Sequence, residues 1–300
     1  MDIVIEDLEY VYSPGTPMEL KALQGVSLRI PAGSALAILG ASGSGKTTLL
    51  KNLNGLLIPT AGHILIDGKD IRRFGPELRK RAGLVCQQPE RQVFEKTVFL
   101  DISFALRHFS AMSHEEIRQR VAAAAQLVGL DLDAVGDRPP WTLSDGEKRR
   151  VAMAGVLAND PEILILDEPT IGLGPQSVET VLNLIEGFRR DKSHTVVIVS
   201  HQIDAFLEQI DKIAVLDRGT LAAYGTPAEV CEMLGENPAL RPLLPELALL
   251  IHDLRRRGFD LPRDEYNLRT LAKEILGLSE RSKPTPRAGV PQMDKVMPLA

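Results

Sequence analysis

The chain carries only two cysteines, Cys86 and Cys231, far apart among 300 residues. That excludes a disulfide framework and a cysteine-built zinc cluster, and it points to a reducing compartment. No continuous apolar run approaches the ~18 residues needed to span a membrane. The first residues, Met1 to Asp7, lack the basic-then-apolar pattern of a secretory signal, so a cytoplasmic protein is expected. Basic charge is not in excess: 35 Lys and Arg stand against 40 Asp and Glu, a net charge of −5. The chain therefore has no overall footprint for nucleic acid. What remains is a composition ordinary for a globular protein, 44% hydrophobic and 25% charged. The length fits one large domain, or a domain with an appendage.

The most informative stretch is Gly40-Ala41-Ser42-Gly43-Ser44-Gly45-Lys46-Thr47. It matches G-x-x-x-x-G-K-[ST], the phosphate-binding loop of P-loop nucleotidases. The apolar run Ala35 to Leu39 precedes it and reads as a buried parallel strand, and Thr48 to Leu53 follows with helical spacing. The glycines let successive N–H groups turn inward as an anion nest, and the helix N-terminus adds its positive dipole end. Lys46 is placed to reach the β- and γ-phosphates, and the Thr47 hydroxyl to hold Mg²⁺. A flexible Gly/Ser loop is the alternative, and the flanking strand and the Lys-Thr pair argue against it.

Upstream, residues 2–12 and Leu20 to Ile30 pattern as strands around a Ser-Pro-Gly-Thr-Pro turn, so an antiparallel β layer beside the nucleotide site is expected. Tyr12, at the strand end, is a candidate to stack on a base, although a strand tyrosine also serves as plain packing. Downstream, Gly83 to Cys86 is a short apolar strand leading into Gln87. A polar amide there reaches a metal or a water, or marks a simple strand exit, and the local sequence leaves both open. Val98 to Phe109 and Glu115 to Val128 have helical spacing, the second opened by a Ser113–Glu116 capping box and ended by Gly129. This block interrupts the strand–helix alternation and reads as a helical subdomain over about 88–160. Ser144-Asp145-Gly146-Glu147 opens another helix with Ser144 as cap and Glu147 completing a capping box. That is either a well-capped helix alone or a second phosphate contact.

Ile163 to Asp167 is an apolar strand ending in Asp167-Glu168. An aspartate there is the expected Mg²⁺ partner of the P-loop threonine, and Glu168 is placed to orient or deprotonate an attacking water. Thr195 to Val199 is another buried strand, and His201 follows its C-terminal end, where open α/β sheets bind ligands. Ile213 to Asp217 and Leu221 to Tyr224 look like a last strand pair. Leu243 to Arg257 and Leu268 to Leu276 keep helical spacing, and eight of the 20 prolines fall between Pro238 and Pro298. Residues 282–300 are expected to be a disordered tail.

In this order the pieces resemble the ATP-binding subunit of ABC transporters over roughly residues 1–235. Four stretches are similar to the ATPases of energy-coupling-factor importers of vitamins or transition-metal ions: Tyr10 to Pro17, Asn52 to Leu57, Gln92 to Val98, and Lys148 to Ala158. The resemblance implies an ABC-type α/β P-loop domain over 1–235, with an antiparallel β subdomain and a helical subdomain. A C-terminal helical extension over 236–281 would match the dimer-contacting segment of that group. The resemblance also implies ATP and Mg²⁺ as ligands, with Gly40 to Thr48 around the nucleotide. Tyr12 would stack on adenine, Gln87 would sense Mg²⁺ and water, Glu168 would be the catalytic carboxylate and His201 the γ-phosphate switch. Partners would be a second ATPase subunit and integral membrane subunits at the cytoplasmic face of the membrane, with no nucleic acid. Ser144 and Gly146 would serve the partner's ATP across a head-to-tail dimer. Alternatives are an ATPase of another ABC transporter class, or a soluble ABC-type ATPase of repair or translation.

Three residues depart from the family pattern. Asp145 stands where the Leu-Ser-Gly-Gly-Gln signature has its first glycine, Glu147 where it has glutamine, and Gly174 where the loop after Asp167-Glu168 usually carries an aspartate. Asp145 and Glu147 belong to the face that acts on the partner's nucleotide. A heterodimer with one competent and one slow site is therefore expected, with a homodimer of two slow sites as the competing account.

Overall fold

Two strand patterns in the sequence become two sheets. The computed structural model describes residues 1–171, 174–190, 194–200, 203–262, 264 and 266–281, with the side chains of 175–177 and 277–281 left aside. The first part lays down β1 (Ile3–Tyr12), β2 (Leu20–Ile30), β3 (Ala35–Leu39), α1 (Lys46–Leu53), β4 (Ala61–Ile66), β5 (Lys69–Asp70), α2 (Leu78–Arg81) and β6 (Ala82–Val85). A helical block follows: α3 (Val98–Phe109), α4 (His114–Leu127), α5 (Leu132–Val135) and α6 (Asp145–Leu157). Then come β7 (Ile163–Asp167), α7 (Pro175–Arg189), β8 (Thr195–Val199), β9 (Lys212–Asp217), β10 (Thr220–Gly225), α8 (Pro227–Gly235), α9 (Glu246–Arg256) and α10 (Leu268–Arg281).

The partly exposed strands β1 and β2 join β4 and β5 in a four-stranded antiparallel sheet of order β2-β1-β4-β5. The continuously apolar strands β3, β7 and β8 are buried along their whole length. They lie inside a six-stranded sheet of order β10-β9-β3-β8-β7-β6, parallel except at the β10 edge. Strands covered on both faces need no polar alternation.

Alternate residues of these strands enter two cores. Leu36, Ile38, Ile163, Ile165, Val197 and Val199 face the antiparallel sheet, with Leu49, Leu50 and Leu53 of α1 packed between the sheets. Ala37, Leu39, Leu164, Leu166, Val196 and Ile198 face the helical block and the C-terminal helices. Ala248 and Ile251 of α9 and Leu271 of α10 belong to that second core, so the C-terminal helices share a core with the central sheet.

The helix ends follow local chemistry. The Ser113–Glu116 and Ser144–Glu147 capping boxes both form, and Gly129 takes φ 64° just beyond α4. Periodicity places the first C-terminal helix from Leu243, but α9 begins at Glu246. Pro245 holds Leu244 extended, at φ −68° and ψ 145°, which is the usual effect of proline on its predecessor. Helix α8, opened by a Thr226–Glu229 capping box with Pro227 in its first turn, is an element that periodicity alone passes over. Residues 282–300 lie outside the described residues.

Candidate active site

The sheet order gathers the informative residues at one edge. Strand β3 lies between β8 and β9, with β7 and β6 beyond β8. Register sets Ile38 beside Val199 and Val199 beside Asp167, so the segments leaving β3, β8 and β7 emerge level with one another. This is the C-terminal edge of a parallel sheet, where α/β folds bind ligands.

The P-loop backbone demands its glycines. Gly40, Gly43 and Gly45 all take positive φ. At Gly45, with φ 103°, a Cβ would lie 2.6 Å from the Ala22 carbonyl oxygen and 2.9 Å from Leu23 Cδ2. Only glycine fits that turn. Gly45 is also the N-cap of α1, so that helix has no side-chain cap, and it has no acidic residue in its first turn. Its leading amides are left for an anion.

Lys46 is 9% exposed and folds back onto its own loop. Its Nζ donates to the carbonyls of Gly40 at 2.7 Å and Ala41 at 2.9 Å. Burial pushes its pKa down, against the pull of Glu168 and Asp167. Thr47 Oγ1 donates to Asp167 Oδ2 at 3.3 Å, and burial raises the Asp167 pKa against that bond and the charges of Lys46 and Lys51. Glu168 is 5% exposed, in left-handed backbone at φ 53°, with its amide donating to the Val199 carbonyl at 2.8 Å. The strand thus ends in a bend that sets Asp167 and Glu168 side by side above the P-loop.

These residues wall a cleft of about 530 Å³ that runs from Tyr12 past the Ser42 to Thr48 segment to Gln87, Asp167 and Glu168. That is within the size range of small-ligand pockets. The Tyr12 ring stands edge-on to Tyr10 at 4.8 Å between centroids, and its hydroxyl shares a 3.2 Å hydrogen bond with Thr48 Oγ1. The structure therefore brings together Tyr12, the Ser42 to Thr48 stretch, Gln87, Asp167 and Glu168. Gly40 and Ala41 sit at the root of the loop, meeting it through the Lys46 bonds. His201 lies outside the described residues.

Sequence reasoning misses Lys21, Gln24, Arg218 and Gly219, which also line the cleft. The Arg218-Gly219 turn between β9 and β10 is tied to the P-loop by Gly219 N to Ser44 O at 3.0 Å. It is tied to β2 by Gln24 N to Gly219 O at 2.8 Å. The only sequence signal is the turn composition Asp217-Arg218-Gly219, which announces a bend but not what it leans on.

Ser144 and Gly146 are not among the residues lining this cleft. They stand at the exposed N-terminus of α6, closed by its own side chains. Glu147 Oε2 accepts from the Ser144 amide at 2.8 Å and the Ser144 hydroxyl at 2.7 Å. Those donors hold the Glu147 carboxyl below the usual range. Asp145 is 87% exposed and pairs with Lys148 at 3.3 Å. Arg149, one helical turn on from Ser144, donates to the Ile171 carbonyl at 2.8 Å and pairs with Glu90 at 3.4 Å. It ties α6 to the segments that follow Gln87 and Glu168. Gly174, exposed, is the N-cap of α7.

The donor set suits a hard divalent cation. Thr47 Oγ1 and Asp167 Oδ2 are both oxygens, and the buried carboxylate is one whose charge a cation would compensate. Among the described residues no group of three or more His, Cys, Asp or Glu could hold a metal alone. Mg²⁺, which keeps waters and phosphate oxygens in its shell, fits such a sparse site.

Residues 23–171 match the family model described as ABC transporter. The chain is 44% identical over 281 residues to the energy-coupling factor transporter ATP-binding protein EcfA2 of Symbiobacterium thermophilum, covering 93% of this chain and 96% of that one. It is 40% identical over 286 residues to the protein of the same name in Clostridium acetobutylicum, covering 94% and 100%. Among solved structures, it is similar to cbiO1 from Clostridium perfringens, described as part of the ABC transporter complex cbiONQ. There the TM-score is 0.68 at 37% identity, covering 84% of this chain and 98% of that one. A dimeric bacterial ABC transporter cassette matches with a TM-score of 0.67 at 29% identity, covering 75% and 98%.

Proposed function

The chain belongs to the energy-coupling factor transporter ATP-binding proteins, a family of ATP-hydrolysing ABC subunits, and from that premise we propose that it hydrolyses Mg²⁺-ATP in the cleft described above to power a membrane importer. The observation that carries this reading is the contact of Thr47 with Asp167, 120 residues apart, at the foot of an uncapped helix.

Each residue takes the part that the family resemblance implies, and for the described residues a place in or beside the cleft supports it. Tyr12 stacks on adenine. The loop amides and the α1 N-terminus receive the phosphates, and Lys46 exchanges the carbonyls of Gly40 and Ala41 for phosphate oxygens. Thr47 and Asp167 hold Mg²⁺, which when bound neutralises phosphate charge. Gln87 orients the attacking water, and Glu168 takes its proton as the water oxygen bonds to the γ-phosphorus. The bond from that phosphorus to the bridging oxygen of ADP breaks, and His201 contacts the γ-phosphate.

The working unit is a dimer with a second, different ATPase, seated on membrane subunits at the cytoplasmic face. Among the described residues no helix is long and apolar enough to cross a membrane, so membrane contact is made through partners. The exposed Phe94 and Phe109, clustered on Phe104 downstream of Gln87, supply an aromatic patch for those subunits. Asymmetry follows from α6: a carboxylate already holds the Ser144 hydroxyl, so the site this chain completes for its partner is the slower one.

Glu168→Gln is the direct test. ATP affinity should stay within about threefold while hydrolysis falls by roughly a hundredfold or more. Hydrolysis that survives the substitution rejects Glu168 as the base. Purification from host membranes with mass spectrometry checks the rest: a second ATPase with polytopic membrane proteins supports the assembly, and self-association in the soluble fraction rejects it.

A further inference from the structure

Helix α9 begins at a residue that cannot cap it. Its N-cap is Pro245, which has no side-chain acceptor. The first two amides are capped instead from 42 residues upstream, where Asp204 Oδ2 accepts from Glu246 N at 3.0 Å and Asp204 Oδ1 from Leu247 N at 2.7 Å. The second C-terminal helix is tied to the same segment. Asn267 caps α10 through Oδ1, which accepts from the amides of Arg269 and Thr270 at 3.1 Å, and its Nδ2 donates to Glu208 Oε1 at 3.0 Å. Asp204 and Glu208 both lie on the 3-10 turn Ile203–Gln209, whose Ile203, Phe206 and Leu207 are buried in the core.

That turn follows β8, the strand hydrogen-bonded to β3 beside the P-loop. A cavity of about 970 Å³ is lined by Leu39, Gly40 and Ser200 at the root of the P-loop and the end of β8, by Asp204 itself, and by Leu247 and Tyr266 of the extension. Two side-chain caps tie this turn, which follows β8 in the chain, to the starts of α9 and α10.

We propose that Asp204 is a positioning residue that couples the nucleotide cleft to the C-terminal helices. It makes the start of α9 follow the end of β8. ATP in the cleft draws the β8 end toward the P-loop, and α9 moves with it through the bidentate cap. Linkage makes the coupling reciprocal, so the state of the extension returns to the cleft as an equal change in nucleotide affinity. The inference rests on ATP binding in that cleft, and the test measures binding separately.

Amide hydrogen exchange of the full chain, followed over 245–250 with and without Mg²⁺-ATP, reads the coupling, and a fluorescent ATP analogue reads affinity in the same samples. In the unmodified chain ATP should slow exchange at Glu246 and Leu247 by about threefold or more. Asp204→Ala should speed basal exchange there roughly tenfold and abolish the ATP response. Asp204→Asn, which keeps one of the two acceptor oxygens, should restore part of both. Asn267→Ala removes the second tie and the α10 cap but should leave the response at Glu246 and Leu247 intact, and the partial response of Asp204→Asn keeps the test decisive if Asp204→Ala does not fold. ATP that binds without slowing those amides, or a response that survives Asp204→Ala, overturns the coupling. Failure of the analogue to bind at all overturns the nucleotide reading instead.

Discussion

Two helices in this molecule point their N-termini at places where phosphate chemistry is expected, and they are finished in opposite ways. Helix α1 starts behind Gly45, with no side-chain cap and no acid in its first turn. Helix α6 starts behind Ser144, with a complete capping box and two acids, Asp145 and Glu147, in its first turn. A capping box is the stable way to finish a helix, and leaving one off forgoes about 1 kcal/mol. The uncapped end is therefore the costly one, and it is the end that the cleft surrounds. Open amides at α1 and a boxed end at α6, where the Ser144 and Glu147 amides have side-chain acceptors, separate a site prepared for an anion from one that supplies its own.

The largest effect should come from Lys46, the charge that the open end recruits. Lys46→Ala should lower ATP hydrolysis about a hundredfold or more, because a buried cation aimed at developing phosphate charge is lost. It should not cost stability. Burial already lowers the Lys46 pKa, and its partners are two backbone carbonyls that water can satisfy. The melting temperature should hold or rise, the usual stability–function opposition. A fall of several degrees would mean that the lysine is structural first, and the contrast with α6 would lose its meaning.

The readable parts of this site are those written in consecutive residues. The P-loop, the Asp167-Glu168 strand end and the Ser144–Glu147 box are each a pattern within one turn or one strand, and the structure forms each locally. The parallel sheet was legible for the same reason, since fully apolar strands alternating with capped helices demand a sheet covered on both faces, while the ABC type came from the resemblance that the order of the motifs carries. What stayed hidden is set by distant chain. Arg218 and Gly219 reach the cleft because β10 folds back along β9 toward β2, and the cap of α9 comes from Asp204. The exposed Asp145 carboxylate, for its part, is paired with Lys148 three residues on, which the signature position alone does not announce.

That last point ranks two substitutions at the signature. Glu147→Gln keeps the spacing of a capping box but removes the charge held against Ser144. Asp145→Gly removes a carboxylate that is 87% exposed and already paired. In the assembled dimer both should raise ATP turnover, by a few fold for Glu147→Gln and by less for Asp145→Gly, since exposed charges are screened. The reverse order would mean that Asp145 turns inward when the dimer closes. No change in either would sink the idea that acids at α6 slow the partner's site.

The smallest effect separates the two helix ends without any nucleotide. Glu116, Glu147 and Glu229, the box carboxylates of α4, α6 and α8, are all held below the usual glutamate range by donors from their own N-cap residues. A folded pKa below the unfolded one adds stability that is complete above the unfolded pKa, about 4.3. That stability is lost as pH falls through the folded value. Between about pH 5 and pH 3, protection of the Ser113, Ser144 and Thr226 amides should therefore drop a few fold, after correction for intrinsic exchange. The α1 amides behind Gly45 have no carboxylate cap to lose and should stay level. Glu147→Gln should flatten the Ser144 profile while leaving Ser113 and Thr226 unchanged, which distinguishes loss of one box from general acid loosening. A drop at α1 in step with the others would show the whole domain yielding to acid, and the two helix ends would then differ only in shape.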